Sequence, residues 1–299
     1  MQNNSMLKKR RQSEVRKASA IFLAPVAILL LVFIAYPILD SFNISLYKWN
    51  GITTDRQFIG MDNWKTLFLD RSFWFAFRNN VVIMVLSIAV QLPIGLALAT
   101  FLDFGGKKLN GFKVIWFIPL LMSSVAIGFL FRYALATNGG IISTVSSWFG
   151  GGNIDLLGDP NKALLTVIAV ICWQFVPFYM VYFMAAYTNI SYDIYEASRI
   201  DGASRGQYFW RIALPLLVPS IKSAAILSMV GSLKYFDLIY VMTGGGPGTS
   251  TELMATYMYK NSFKNLNMGY GSTVACGMFI LISLIALVTM RLINSGKEK

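Results

Sequence analysis

Histidine does not occur anywhere in this chain. Its absence removes a Ser-His-Asp triad, a Cys-His pair and any histidine-ligated metal. Cysteine occurs twice, as Cys172 and Cys276, and both lie inside apolar runs. Such thiols are expected to be buried and reduced, with no disulfide between them. Charge is scarce as well: Asp, Glu, Lys and Arg make up 13% of 299 residues, about half the usual share of a soluble domain. A phosphate loop is also missing. Gly244–Gly248 is glycine-rich, but no Gly-Lys-Ser/Thr ending follows it. No nucleotide, metal or other cofactor is therefore expected in this chain.

Apolar surface is abundant, since 56% of the residues are hydrophobic. Lipid can cover what water cannot, so the composition points to a membrane. The net charge is +12, yet the basic residues sit in short stretches between apolar runs. That distribution fits topology signals and a lipid bilayer, not nucleic acid.

Six runs are long enough to span, at roughly 18–39, 79–102, 112–135, 163–187, 217–243 and 270–293. Each is expected to be helical, because hydrocarbon offers the backbone no hydrogen-bond partner. The first follows Lys8, Lys9, Arg10, Arg11, Arg16 and Lys17. It exceeds the apolar core of a signal peptide and reads as an uncleaved span. With the N-terminus inside, Lys107, Lys108, Lys113, Arg199, Arg205, Arg211, Lys222, Arg291, Lys297 and Lys299 are cytoplasmic too. Twice as many basic residues then lie inside as outside, so both termini are expected in the cytoplasm.

The segments between the runs have characters of their own. Ser41–Arg78 carries Trp49, Phe58, Trp64, Phe68, Phe73 and Trp74, residues that favour the membrane boundary. A short interfacial helix is expected at Asp62–Leu69, with Asp62 or Asn63 as its cap. Gly139–Pro160 reads as an external loop.

Asn189–Pro215 carries the most local information. Asp193 is placed to cap a helix over Ile194–Asp201, with Glu196 three residues on. Gly202 stands where a helix end needs a left-handed residue. Ser204 and Gln207 form a capping box for a second helix through Tyr208, Phe209 and Ile212, and Pro215 marks a break before the next span. Capping chemistry alone leaves two readings open. One is a surface hairpin resting on headgroups. The other is a handle, with small residues Ala197, Ser198 and Ala203 for close approach to a partner.

Glu196-Ala197-Ser198, three residues, Gly202, nine residues, then Ile212-Ala213-Leu214-Pro215 resembles the EAA motif of binding-protein-dependent ABC importer permeases. Only Ser198 departs from the pattern, where the family carries alanine. The resemblance implies an all-α fold with six transmembrane helices, of the type I ABC importer permease class. It divides the chain into a tail 1–17, a first span and interfacial segment 18–78, a permease core 79–293 with coupling loop 189–215, and a tail 294–299. It implies that Glu196 pairs with basic groups on a separate ATPase, that Gly202 permits the turn, and that Leu214 and Pro215 set the start of the fifth span. It further implies two ATPase subunits that bind ATP and Mg, a second homologous permease forming a heterodimer, and an extracytoplasmic solute-binding protein. The location implied is the cytoplasmic membrane of a bacterium. Covalent chemistry is not expected of this chain.

Phe236-Asp237-Leu238-Ile239-Tyr240-Val241-Met242-Thr243-Gly244-Gly245-Gly246-Pro247 is similar to the carbohydrate branch of that family, as are Ala24-Pro25 and Gly60-x-Asp62-Asn63. A sugar needs hydrogen bonds to its hydroxyls and apolar faces for its ring. Tyr235, Phe236 and Tyr240, with Trp173, Gln174 and Tyr179, supply such groups, and Asn80 and Gln91 add amides. Plain packing is the competing reading for the aromatics. Lys234 and Asp237, three apart on the expected fifth span, would either pair or line the path. Arg132 is expected to snorkel to the headgroups. An ion-coupled secondary transporter would need no docking loop. A membrane-embedded enzyme would need a convergent acidic or nucleophilic cluster, which the sequence does not offer.

Overall fold

The computed structural model describes residues 2–295. Lys297 and Lys299, and most of the expected tail 294–299, lie outside the described residues, as do the side chains of Lys8–Arg11, Lys107 and Lys108. The chain forms two compact units. One holds the residues up to Phe68 together with Asn261–Cys276, and the other holds Leu69–Lys260 and the chain from Gly277 onward.

The first unit begins with α1 (Gln2–Leu30), a π-helical turn at Leu31–Ala35 and α2 (Tyr36–Ile44). Its apolar side chains, Phe22, Leu30 and Phe33 among them, are exposed on every side. The helix outruns the 18–39 apolar run at both ends. Beyond it a two-stranded ribbon pairs β1 (Tyr47–Lys48) with β2 (Gln57–Phe58). Its turn is shaped by Asn50, whose Oδ1 accepts from the Ile52 and Thr53 backbone N–H groups at 2.9 and 3.0 Å. A purely helical reading missed this ribbon. The interfacial helix α3 (Asp62–Leu69) forms as expected. Asn63 does not cap it; its amide donates to the Ser45 and Tyr47 carbonyls. The last helix, α14 (Met268–Ser295), opens against this ribbon, and Gly269 donates to the Trp49 carbonyl at 3.0 Å. A Cβ at Gly269 would lie 2.0 Å from the Tyr47 carbonyl oxygen, so only glycine fits.

The second unit is built on α4 (Arg71–Gly105), which packs along α8 (Ala163–Tyr187). Asp70 caps α4, accepting from the Ser72 N–H at 2.9 Å. Gly95 lets the two backbones close up, because a Cβ there would stand 2.7 Å from Tyr179 Cβ. Small residues at such contacts are the rule in lipid, where helices associate by packing. Ile83, Ile127, Val167, Ile171, Leu238 and Leu253 form one buried cluster, and Leu92, Tyr179, Phe183, Tyr208, Ala213 and Leu217 form another.

Two expected spans are not single rods. The 112–135 run divides into α5 (Asn110–Leu121) and α6 (Ser124–Ala134), bent by 93°. Pro119 weakens the helix just before Met122 and Ser123 turn extended, with ψ of 145° and 135°. The 217–243 run divides into α11 (Leu214–Leu233) and α12 (Asp237–Met242), separated by Lys234–Phe236. The expected loop 139–160 contains a further helix, α7 (Ile141–Trp148). Among the described residues, five helices are long and apolar enough to cross a membrane, and six if the bent pair counts as one span. Cys172 and Cys276 are free and buried.

Candidate functional site

The loop after α8 is a helix–glycine–helix handle whose backbone is closed by its own residues. Ser191, not Asp193, caps α9 (Tyr192–Ile200), its Oγ accepting from the Asp193 N–H at 3.3 Å. Asp193 sits in the first turn, where its charge favours the helix dipole. At the other end Ala203 N–H donates to the Ser198 carbonyl at 2.9 Å and Gly202 N–H to Arg199 at 3.1 Å. This is a complete Schellman closure, and Gly202 supplies its left-handed residue with φ of +76°. The Arg199 guanidinium donates to the Ala203 carbonyl at 3.0 Å.

The second helix opens on a full capping box. Ser204 Oγ accepts from Gln207 N–H at 3.2 Å, and Gln207 Oε1 accepts from Ser204 N–H at 2.8 Å. The short α10 (Arg205–Tyr208) then runs without a break through a π-helical turn, Phe209–Ala213, into α11. Pro215 therefore does not end a helix, contrary to the sequence reading. Its missing N–H and its crowding of the carbonyl behind it are met by the wide turn just before it, where Leu214 N–H reaches back to Phe209.

Inner and outer faces of the handle differ. Tyr195 and Tyr208 meet edge to face at 5.0 Å within the handle, and Tyr208 packs on Phe104 of α4 with ring centres 6.3 Å apart. Ser198 is buried, with its hydroxyl donating to the Tyr195 carbonyl at 2.6 Å. It faces its own bundle, so its small size serves internal packing and not a partner's approach. Ile212 packs into the cluster around Phe183, and Leu214 is half-buried. The exposed face carries Glu196, Ala197, Gly202 and Pro215, beside Ile200 at 81% and Trp210 at 68% exposure. Nothing lies within 4 Å of a Cβ placed on Gly202. Behind the handle lies a cavity of about 320 Å³, lined by residues that include Asp103, Phe104, Tyr187, Tyr195 and Tyr208.

A family profile described as binding-protein-dependent transport system inner membrane component matches residues 91–299. The chain belongs to that family. It is a multi-pass membrane permease of an importer and not itself an enzyme. The sulfoquinovosyl glycerol transport system permease protein SmoG of Agrobacterium fabrum (strain C58) is 34% identical, over 94% of this chain and 91% of that one. The multiple sugar-binding transport system permease protein MsmF of Streptococcus mutans is 31% identical, over 91% of this chain and 93% of that one. Among solved structures, a chain of a bacterial ABC transporter involved in the import of the acidic polysaccharide alginate has the same fold. Its TM-score is 0.83 at 22% identity, over 96% of this permease and 99% of that chain.

The polar candidates within the spans are not gathered as the sequence suggested. Lys234 follows the last residue of α11 as its C-cap and Asp237 begins α12, so they share no helical face, and among the described residues no ion pair joins them. Asn80 is fully buried with both ends of its amide bound to backbone. Gln91 is buried and approaches Cys172 Sγ at 3.9 Å. Trp173 is 39% exposed, whereas Gln174 is buried and donates to Ser124 Oγ at 3.1 Å. Gln174 Oε1 is left without a partner. Tyr235 packs edge to face on Phe175. Phe236 stacks on Tyr240 at 5.1 Å, and Tyr259 closes a three-ring cluster with them. Arg132 Nη1 donates to the Val241 carbonyl at 3.5 Å.

Sequence reasoning missed Tyr259, Asn79 and the buried pair Glu252–Lys260. Glu252 and Lys260 stand eight apart in the chain, a spacing that matches no local pairing rule, so no sequence signal pointed to the pair.

Proposed function

We propose that this permease imports a sugar or oligosaccharide and is driven by a separate ATPase through the handle at 189–215. The observation that carries the coupling is the handle's division of labour. Its own polar groups close its backbone, while Glu196 makes no ion pair among the described residues and stands exposed beside Ala197, Ile200 and Gly202. A carboxylate with exposed apolar groups beside it suits a groove with a basic group in it. Ser198, Ile212 and Leu214 anchor that face to the bundle, and Pro215 continues it into α11. ATP and Mg belong to the partner, and no cofactor is assigned to this chain. Two ATPase subunits would dock from the cytoplasm, a second homologous permease would complete the path, and an extracytoplasmic binding protein would deliver solute. Both termini then lie in the cytoplasm of a bacterial cell.

The sugar class rests on the substrates named for SmoG and MsmF and on the ring cluster. Phe236, Tyr240 and Tyr259 offer apolar faces, Gln174 has a free acceptor, and Trp173 is open to contact. Lys234, Asp237 and Tyr235 flank the break in the fifth span and remain candidates for the path, as does Gln91. Closure of the ATPases would swing the handle and alternate access between the two sides.

Glu196→Lys and Gly202→Asp test the coupling in proteoliposomes holding the whole complex. Each variant is expected to reach the membrane, keep its folding temperature and lose uptake. Normal uptake by either one would refute the assignment.

A further inference from the structure

The end of the bundle opposite the handle is held by two adjacent side chains on α4. Asn79 is 4% exposed and Asn80 is fully buried. The Asn79 amide donates to the carbonyls of Glu252 at 2.9 Å, Ser250 at 3.1 Å and Thr249 at 3.4 Å. Asn80 Nδ2 donates to the Leu233 carbonyl at 3.3 Å, and its Oδ1 accepts from the Met254 N–H at 2.9 Å.

Leu233 is the last residue of α11 and Met254 is the first of α13 (Met254–Tyr259). Helix ends leave backbone groups without partners inside the helix. Asn80 therefore satisfies one group at each of two helix ends with a single side chain. Between those ends lies the segment that carries Phe236 and Tyr240, and Tyr259 follows directly in α13. The segment is also tied internally. Thr251 Oγ1 donates to the Gly246 carbonyl at 2.7 Å, Thr256 Oγ1 donates to the Glu252 carboxylate, and Glu252 pairs with Lys260. A Cβ on Gly245 would stand 2.6 Å from Glu252 Oε2.

We infer that Asn79 and Asn80 are positioning residues of transport: a two-amide latch that makes the outer half of α4 and the segment from Leu233 to Met254 move as one body, carrying the ring cluster with it. A helix break lined with aromatics would otherwise be free to shift against α4. The latch fixes the rings relative to α4 in both access states, so that movement of α4 is passed to the rings and a solute seated at the rings is felt by α4. The inference rests on the proposed alternation of access. Were that alternation wrong, the wild-type complex would show no ATP turnover stimulated by its binding protein. Were only the latch wrong, the wild type would respond and the variants would match it.

The experiment uses the full complex in proteoliposomes, with its ATPase and loaded binding protein. Asn79→Leu removes the donor at similar size. It is expected to leave ATP turnover without binding protein unchanged and to lower the turnover stimulated by loaded binding protein, and with it the stimulated-to-basal ratio, by about fivefold, the equivalent of one hydrogen bond. Asn79→Gln keeps an amide donor and is expected to restore the ratio in part, which a purely structural role would not require. The second measurement pairs Asn79→Cys with Ser250→Cys. Oxidation should return the stimulated turnover to the wild-type level, and uptake should continue, because the joined parts need not separate. Two results would overturn the inference: an unchanged ratio in assembled Asn79→Leu, or uptake blocked by the crosslink and recovered on reduction.

Discussion

The two ends of the second unit are built by opposite means. At the handle, every closing hydrogen bond links residues within a few positions of each other: Ser191 with Asp193, Ser198 with Ala203, Ser204 with Gln207. At the other end, Asn79 and Asn80 reach partners more than 150 positions away in the chain. A locally closed loop keeps its shape while its outer face stays free for another molecule. A remotely tied segment derives its shape from the helix it is tied to. The first arrangement suits an element that must be gripped and moved. The second suits one that must hold its place relative to a span.

The comparison is tested most severely at Glu252. Its side chain is 3% exposed and its partner Lys260 is 27% exposed. Glu252→Ala leaves Lys260 without its carboxylate, and the expected loss is about 3–5 kcal/mol, read as a lower unfolding temperature in detergent and less folded protein in the membrane. A thermally normal variant would show that this end is not held by its buried polar groups.

At the handle the effects are expected to be functional first and thermal second. Gly202→Ala forces a Cβ into the left-handed region at φ of +76°, at a cost of about 1–2 kcal/mol confined to the loop. Open space surrounds the new methyl, so global stability should hold while uptake falls. A large drop in unfolding temperature would mean that the handle is part of the bundle's core. Ser204→Ala removes half of the capping box and should cost about 1 kcal/mol, with a moderate fall in uptake and faster amide exchange confined to Arg205–Phe209. Ser198→Ala is the mildest change. It restores the residue usual in the EAA pattern and loses one hydroxyl bond to the Tyr195 carbonyl. Uptake within about twofold of the parent is expected. A severe defect would place Ser198 against the partner, although the structure buries it.

The handle was legible in the sequence because its signals are short-range. Gly202 and the Ser204–Gln207 box stand where spacing placed them. Asp193 was misread as the cap because Ser191, two positions earlier, competes for the same role and lies nearer to the helix start. Pro215 was misread as a break because a wide π turn, which accommodates proline, has no local signature. The bend after Pro119 and the gap at Lys234–Phe236 were hidden by hydropathy, since both lie within continuous apolar runs. Asn80 was legible as a polar group within a span, but its partners were not. An amide bonded to backbone and an amide facing a solute look alike in one dimension.

Composition and hydrophobic run length determined that this chain lives in a membrane and is helical there, because lipid leaves the backbone no other partner. Residue order over a few positions determined the handle, because caps and glycine turns act over a single helical turn. Tertiary structure alone decided which spans break, which rings meet and where Glu252 and the two asparagines find their partners. Those contacts join residues far apart in the chain, and only the packing of α4 against α8 and α11 brings them within hydrogen-bonding reach.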